Sequence, residues 1–357
     1  MNAPFIYHIM IDRFAGADPK RQGRCFKGGT LHAIIPKLSY IQGLGCTGIM
    51  LTPFYKTHEY HGYHVLDYEQ VDEHFGTWQD VTDLVDAVHR RGMTITADFV
   101  ANHCHISNRL CSEHPDWFKM DKAGKLQCFA GIDTLPEFNL DNPAACRYMI
   151  ERGKDLCRCG FDAIRLDYAK GPSSQFWRKF RKALKADFPH VLLIGEVWGK
   201  PDEKRLTAEL AKAFREKRMT QQDAWQQRYI GIFDGVFDFE YQSLLCKAAK
   251  SGKGFTENPE LKDTIERHFN HYIHSPDFQL WLFLDNHDTN RFLYECGNDV
   301  EALQAAIHFT RNQQRPFLLY YGTERGMTNK TDVFGGTPYA DEHVRECMKW
   351  RKTVLTF

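Results

Sequence analysis

The feature that most constrains this chain is an alternation. Short apolar runs rich in Ile, Val, Leu and Phe are separated by longer amphipathic stretches. Eight runs read as strands: Phe5–Ile11, Gly48–Leu51, Thr94–Phe99, Ala163–Leu166, Val191–Gly195, Gly235–Phe239, Leu280–Leu284 and Phe317–Tyr320. They are too short for helices and carry the residues that suit a buried pleated surface. Helical patterns lie between them. Thr30–Gln42 follows the first, and Asp80–Arg91 follows the second with Gly92 as its stop. Ala144–Cys159 opens after Asn142-Pro143, a cap followed by Pro at the first turn. Ser173–Phe188 carries Phe176, Trp177, Phe180 and Leu184 at helical spacing and ends at Pro189. Parallel strands need a crossover, commonly a helix, so this alternation predicts a parallel sheet. Eight units point to an α/β protein with a closed (β/α)8 TIM barrel rather than an open doubly wound sheet. A last amphipathic stretch, Asp341–Thr353, reads as the final barrel helix.

One connection does not fit the rhythm. Between Phe99 and Asn142 lie about 40 residues with little periodicity, and loops of that length in compact domains are usually functional. This predicts a small irregular subdomain, 102–140, inserted after the third barrel strand on the catalytic face. Residues 1–101 and 141–357 would then form the barrel.

Charge and composition narrow the partners. Lys+Arg 46 balances Asp+Glu 46 in 357 residues, so no net field draws the chain to nucleic acid or an anionic membrane. No apolar run approaches the ~18 residues of a membrane span. The N-terminal MNAPFIYHIMIDRF lacks a basic start and a long apolar stretch, so it does not read as a signal peptide. Eleven cysteines, an odd number without a regular framework, read as reduced thiols in a cytoplasmic protein. Nothing in the sequence sets an oligomeric state.

In a closed barrel the reactive side chains come from the C-terminal ends of several strands. After the third run stand Asp98, Asn102 and His103. The fourth ends in Arg165 and Asp167, the fifth in Glu196, the seventh in His287 and Asp288, and the eighth in Glu324. Any one of these acids alone would pass for a helix cap or a surface group. Carboxylates after the fourth, fifth and seventh runs together are not explained that way. Acids gathered at one face repel, which lets one stay protonated while another is ionised.

The strings around these positions carry a resemblance. DFVANH (Asp98 to His103), GFDAIRLD (Gly160 to Asp167), GEVW (Gly195 to Trp198) and FLDNHD (Phe283 to Asp288) resemble the four signature regions of the α-amylase family of glycoside hydrolases, in order. GIMLTPF, HGYHVLDY, LPEFN and YYGTE resemble its secondary regions, so the likeness runs from about Phe5 to Glu324. The resemblance implies Asp167 as nucleophile, Glu196 as general acid/base and Asp288 as the third carboxylate. It places His103 and His287 on the sugar of the donor subsite, with Tyr63 stacking on that sugar and His61 beside it. Arg165 would hold the nucleophile ionised, and Lys170 would reach the acceptor side. Asp98 and Asn102 look like a structural pair at the base of the insertion. The implied enzyme is a retaining glycosidase, cleaving α-glucosidic bonds, chiefly α-1,4 links in maltooligosaccharides or related α-glucans, through a covalent glycosyl intermediate. Transglycosylation through the same intermediate is the alternative. A non-catalytic glycan-binding barrel is disfavoured because all three carboxylates are present.

The chain also departs from the family. Gly171 stands after Lys170 where relatives often carry His, and Asn139 stands where calcium-binding members often carry Asp. Calcium requires several oxygen ligands, usually carboxylates among them. No cofactor is therefore expected to be required, with Asn102 the best single candidate ligand for Ca²⁺. Cys104, His105, Cys111 and His114 have the residue types of a zinc site but irregular spacing, and zinc is not expected. No Asp…Arg clamp is recognisable between Gly326 and His343, so short maltooligosaccharides are expected to be preferred over granular starch. Relatives usually carry a β-sandwich after the barrel. This chain reads as a bare catalytic barrel, or as a piece of something longer.

Overall fold

The structure is a computed structural model that describes residues 3–199 and 205–356. Ten strands follow in chain order: β1 (Phe5–Ile9), β2 (Gly48–Leu51), β3 (Tyr55–Thr57), β4 (Val65–Val71), β5 (Thr94–Phe99), β6 (Ala163–Leu166), β7 (Leu192–Gly195), β8 (Gly235–Phe237), β9 (Gln279–Phe283) and β10 (Phe317–Tyr320). Eight of them form a closed barrel in the order β1-β10-β9-β8-β7-β6-β5-β2, and β3 and β4 pair as a separate antiparallel hairpin. The fold is a (β/α)8 barrel. Every expected barrel strand is present, with ends that shift by a residue or two. The first stops at Ile9, and Ile11–Phe14 turns helical. The sixth stops at Phe237, because Asp238 caps the helix Phe239–Ser251 by accepting the Tyr241 N–H.

By contact density the chain divides into two compact units: Ile9–Glu196, and the described residues on either side of it. In the first unit β2, β5, β6 and β7 pair in parallel, with Asp98 opposite Arg165 and Leu166 opposite Gly195. Their strands are nearly all buried, as the unbroken apolar runs required, because a parallel strand is covered on both faces. The helices start at polar caps. Thr77 forms a capping box with Asp80 at the head of Trp78–His89, Asn142 caps Pro143–Arg158, and Ser173 caps Ser174–Asp187. The predicted Thr30–Gln42 helix is broken into Leu31–Ile34, a 3-10 turn Ile35–Lys37 and Leu38–Gly43. Pro36 lacks an N–H and clashes with the preceding turn, which explains the break. Residues 102–140 contain short helical turns and isolated bridges, including His103 to Glu137 and Phe118 to Phe138.

In the second unit β8, β9, β10 and β1 pair in parallel, with Gly235 opposite Gln279 and Phe5 opposite Phe317. Here lies a buried polar triad. His268 Nδ1 meets Asp223 Oδ1 at 2.6 Å, and its Nε2 meets Asp238 Oδ2 at 2.7 Å. Burial alone would lower the pKa of this imidazole, but the two carboxylates outweigh it and raise the value to about 10. His268 is therefore an imidazolium clamped between two anions.

The expected final helix over Asp341–Thr353 does not form. Only a 3-10 turn, Ala340–His343, is present, and the rest is irregular. The backbone carbonyls that a helix would use are taken by side chains. Tyr320 and Tyr321 hydroxyls donate to Val344 O and Glu346 O, and Arg325 donates to Trp350 O and Lys352 O. Among the described residues no helix is long and apolar enough to cross a membrane.

Candidate active site

In the unit Ile9–Glu196 the site is organised around one cation. Arg165 lies on β6, two residues before Asp167, so both side chains leave the strand on the same face. Its Nη1 donates to both oxygens of Asp98, at 2.9 and 2.8 Å, and to Asp167 Oδ1 at 2.7 Å. Its Nη2 meets Glu196 Oε1 at 2.7 Å. Asp98, Arg165, Asp167 and Glu196 are all buried. Burial would by itself weaken the charge on Arg165. Asp98, Glu196, Tyr63 and Asp167 reverse that and raise its pKa well above the ordinary guanidinium value. A permanent positive charge thus faces three buried carboxyl groups.

Asp167 and Glu196 sit directly after β6 and β7, and each continues its strand's ladder: the Asp167 N–H donates to Phe99 O and the Glu196 N–H to Leu166 O. Tyr168 follows with φ 42, a left-handed conformation unusual for a non-glycine residue. Its N–H donates to Glu196 Oε2 at 2.9 Å. The two oxygens of Glu196 are therefore held by different donors, one cationic and one a backbone amide.

Tyr63, half-buried, donates its hydroxyl to Asp98 Oδ2 at 2.7 Å. His61 Nδ1 accepts the Tyr63 N–H at 3.2 Å, and its Nε2 lies 3.4 Å from Arg24. His103 stacks on Phe129, with ring centres 4.3 Å apart. Burial, with His64 adding to it, lowers the His103 pKa to about 3, so the ring is neutral. Phe129 meets the Tyr168 ring edge-on at 4.6 Å, and the Lys170 ammonium lies 4.9 Å from that ring's centre. Phe129 and Tyr168 were not among the candidates drawn from the sequence.

In the other unit, Asp288 and His287 follow β9 on a turn built by Asn286, whose Oδ1 accepts the N–H groups of Asp288 and Thr289. His287 Nε2 lies 2.9 Å from Asp288 Oδ2. Arg345 donates to Asp288 Oδ1 at 3.0 Å, to His287 O at 2.8 Å and to Asp341 Oδ2 at 2.6 Å. Sequence reading missed this pair. Its only signal was Asp and Arg four residues apart in a segment taken for a helix. Glu324 accepts the Tyr7 hydroxyl at 2.8 Å.

Asn102 lies at a crossing of the inserted segment and the loop after β6. Its Nδ2 donates to Glu137 Oε1 at 3.3 Å, while its buried Oδ1 has no hydrogen-bond partner. Glu137 Oε2 accepts from Lys119 Nζ at 3.0 Å and from Gln127 at 3.4 Å. Lys119 Nζ also lies 3.4 Å from Gly171 O. The oxygens suit a hard cation, but an ammonium is already among them. Calcium needs six to eight oxygen ligands and would have to sit beside that charge, so the residues as arranged do not fit it. Of the four Cys and His considered for zinc, Cys104 and Cys111 bring their sulfurs within 3.8 Å, whereas His114 stacks on Trp117.

The same crossing explains Gly171. A Cβ there would lie 2.0 Å from Asn102 Oδ1 and 2.8 Å from Tyr168 Cδ1. Gly171→Ala should therefore cost about 1–3 kcal/mol of stability by overpacking. In an Asn102→Ala background the cost should shrink, because the closest clash has gone and only the Tyr168 contact remains. Urea unfolding of the two single variants and the double variant checks this, and strictly additive effects would contradict the clash.

The chain matches the family described as Alpha amylase, catalytic domain, over residues 8–127 and 116–356. It is 31% identical over 360 residues to Alpha-amylase 2 of Dictyoglomus thermophilum, covering 97% of this chain and 59% of that protein. It is 28% identical over 358 residues to Neopullulanase 2 of Thermoactinomyces vulgaris, covering 92% of this chain and 57% of that one. It thus spans somewhat over half the length of these relatives. The crystal structure of alpha-amylase from Geobacillus thermoleovorans, complexed with acarbose, superposes with a TM-score of 0.78 at 27% identity, covering 99% of this chain and 75% of that one. The sequence match extends over nearly the whole chain, and it takes in the strand ends that carry Asp167, Glu196 and Asp288: this chain belongs to the alpha-amylase family.

Proposed function

We propose that the protein is a retaining glycoside hydrolase that cleaves α-glucosidic bonds in maltooligosaccharides or related α-glucans. The observation that carries this reading is the single buried guanidinium of Arg165 shared by Asp167 and Glu196. Retention needs two carboxyl groups about 5–5.5 Å apart, whereas inversion leaves a wider gap of ~6.5–9.5 Å for water. One guanidinium bridging both groups favours the narrow spacing. Asp167, held anionic by Arg165, attacks the anomeric carbon. Glu196 protonates the leaving oxygen and then takes a proton from the incoming water. Asp288, oriented by Arg345 and His287, binds sugar hydroxyls. His103, being neutral, can donate to or accept from a hydroxyl, and Tyr63 offers a ring face to the sugar. Lys170 lies on the acceptor side. The names of the relatives, alpha-amylase and neopullulanase, agree with an α-glucan substrate. None of the eleven cysteines is joined in a disulfide, which supports a cytoplasmic location.

Stereochemistry tests this directly. Two inversions return the α-anomer, so proton NMR in the first minutes of maltooligosaccharide hydrolysis should show fresh α-anomer. β-Anomer as the first product would overturn the assignment of Asp167.

A further inference from the structure

We propose that Lys119 is the chain's own substitute for a metal ion at the crossing of the inserted segment and the loop after β6, and that the fold there needs no calcium. Three observations meet at this point. The first is a set of oxygens: the Glu137 carboxylate and the Gly171 carbonyl, with the Asn102 carboxamide, which donates to Glu137 through Nδ2 and keeps a buried oxygen without a hydrogen-bond partner, beside them. The second is the cation that bridges two of these oxygens, Lys119 Nζ, 3.0 Å from Glu137 Oε2 and 3.4 Å from Gly171 O. The third is the rigidity of the frame. Glu137 N–H donates to Gln127 O, Glu137 O accepts the Lys119 N–H, and the Phe138 N–H donates to Asn102 O. The backbone thus fixes Lys119 and Glu137 side by side before their side chains meet.

The ammonium does what a metal ion would do at such a crossing. It neutralises a carboxylate that is largely out of water, and it ties the insertion to the loop bearing Asp167, Tyr168 and Lys170. That loop sets the Tyr168 amide on Glu196 Oε2. Lys119 is accordingly a positioning residue. A lysine makes the tie permanent, because a covalently attached cation cannot be stripped by a chelator or lost by dilution. Glu137 and Gly171 fit this scheme together. The carboxylate supplies the counter-charge, and the absence of a Cβ at 171 leaves room for the Asn102 amide that donates to that carboxylate.

The test compares melting temperatures after exhaustive chelation, with and without millimolar CaCl2. The readout is thermal and stands whatever the substrate proves to be. The full chain should melt at the same temperature in both conditions. A fall on chelation that calcium restores would overturn the proposal. Lys119→Ala empties the cradle of its cation and should melt lower, by on the order of 5 °C. Calcium should then raise its melting point saturably, as a ligand of the folded state alone does. Magnesium, which demands a tighter octahedron, should do so far less. Lys119→Arg, which keeps a cation, should remain insensitive to calcium. If Lys119→Ala melts with the parent, or melts lower with no calcium response, the oxygens are not a cation cradle and the proposal fails. Should Lys119→Ala not fold, Lys119→Gln is measured in the same way with the same expectations.

Discussion

Asp167→Asn should abolish turnover on every α-glucoside, by at least about 10⁴-fold in kcat, because no other group can form the glycosyl ester. Glu196→Gln should behave differently. It removes proton delivery, worth about 10²–10⁴-fold for a natural leaving group, and leaves the attack itself intact. With an α-glucosyl fluoride, whose leaving group needs little protonation, Glu196→Gln should release a rapid burst of fluoride and then stall, because deglycosylation lacks its base. Asp167→Asn should show no burst. Neither change should unfold the protein. Arg165 keeps Asp98 and one of the two other carboxylates in each variant, so the buried guanidinium is never left without an anion. Equal bursts from the two variants, or none from either, would reverse or cancel the assigned roles.

How far the sequence could carry this site depends on how each residue is held. Asp167 and Glu196 were legible because they sit directly after β6 and β7, so finding the apolar runs found them as well. Arg165 was legible for the same reason, since its spacing of two from Asp167 dictates a shared face. Asp288 needed only the string around it. Arg345 was not legible. It acts from a segment with helical periodicity that never becomes a helix, because Tyr320, Tyr321 and Arg325 capture its carbonyls from elements distant in sequence. Periodicity reports which faces are apolar, and it cannot report a long-range competitor for the backbone. Lys119 and Glu137 were hidden in another way. They lie in the aperiodic stretch after β5, where isolated bridges rather than a repeating pattern place them side by side. Pro36 was a visible signal passed over inside the first helix.

His268 belongs to the illegible group as well, and it carries the largest stability effect expected outside the active site. Its ring is clamped at 2.6 and 2.7 Å between Asp223 and Asp238 and is almost wholly buried. Asp223 also meets His271 Nδ1 at 3.2 Å and the Tyr272 hydroxyl at 3.2 Å, and Asp238 accepts from Gln226 at 3.3 Å. Removing the imidazolium leaves two buried carboxylates with too little counter-charge. His268→Gln should therefore cost about 3–5 kcal/mol, the range for breaking one partner out of a buried ion pair. The pH dependence gives the sharper test. The folded pKa of His268, about 10, lies above the ordinary histidine value, so its contribution is complete below about pH 6.5 and is lost as pH rises through 10. Asp223 works in the opposite sense. Burial opposes its ionisation, but His268 and His271 prevail and hold its pKa below the usual carboxylate value, so its contribution is present above about pH 4 and is lost on acidification. Between these limits the clamp is fully charged. Urea unfolding at pH 6, 8 and 10 should then show the gap between the parent and His268→Gln at its widest at pH 6. It should narrow toward pH 10, because above about pH 6.5 the unfolded chain sheds this proton while the folded ring retains it. The slope for one such group is at most about 1.4 kcal/mol per pH unit. A gap of constant width from pH 6 to 10 would mean that the ring is neutral throughout, and that the two carboxylates do not hold it charged.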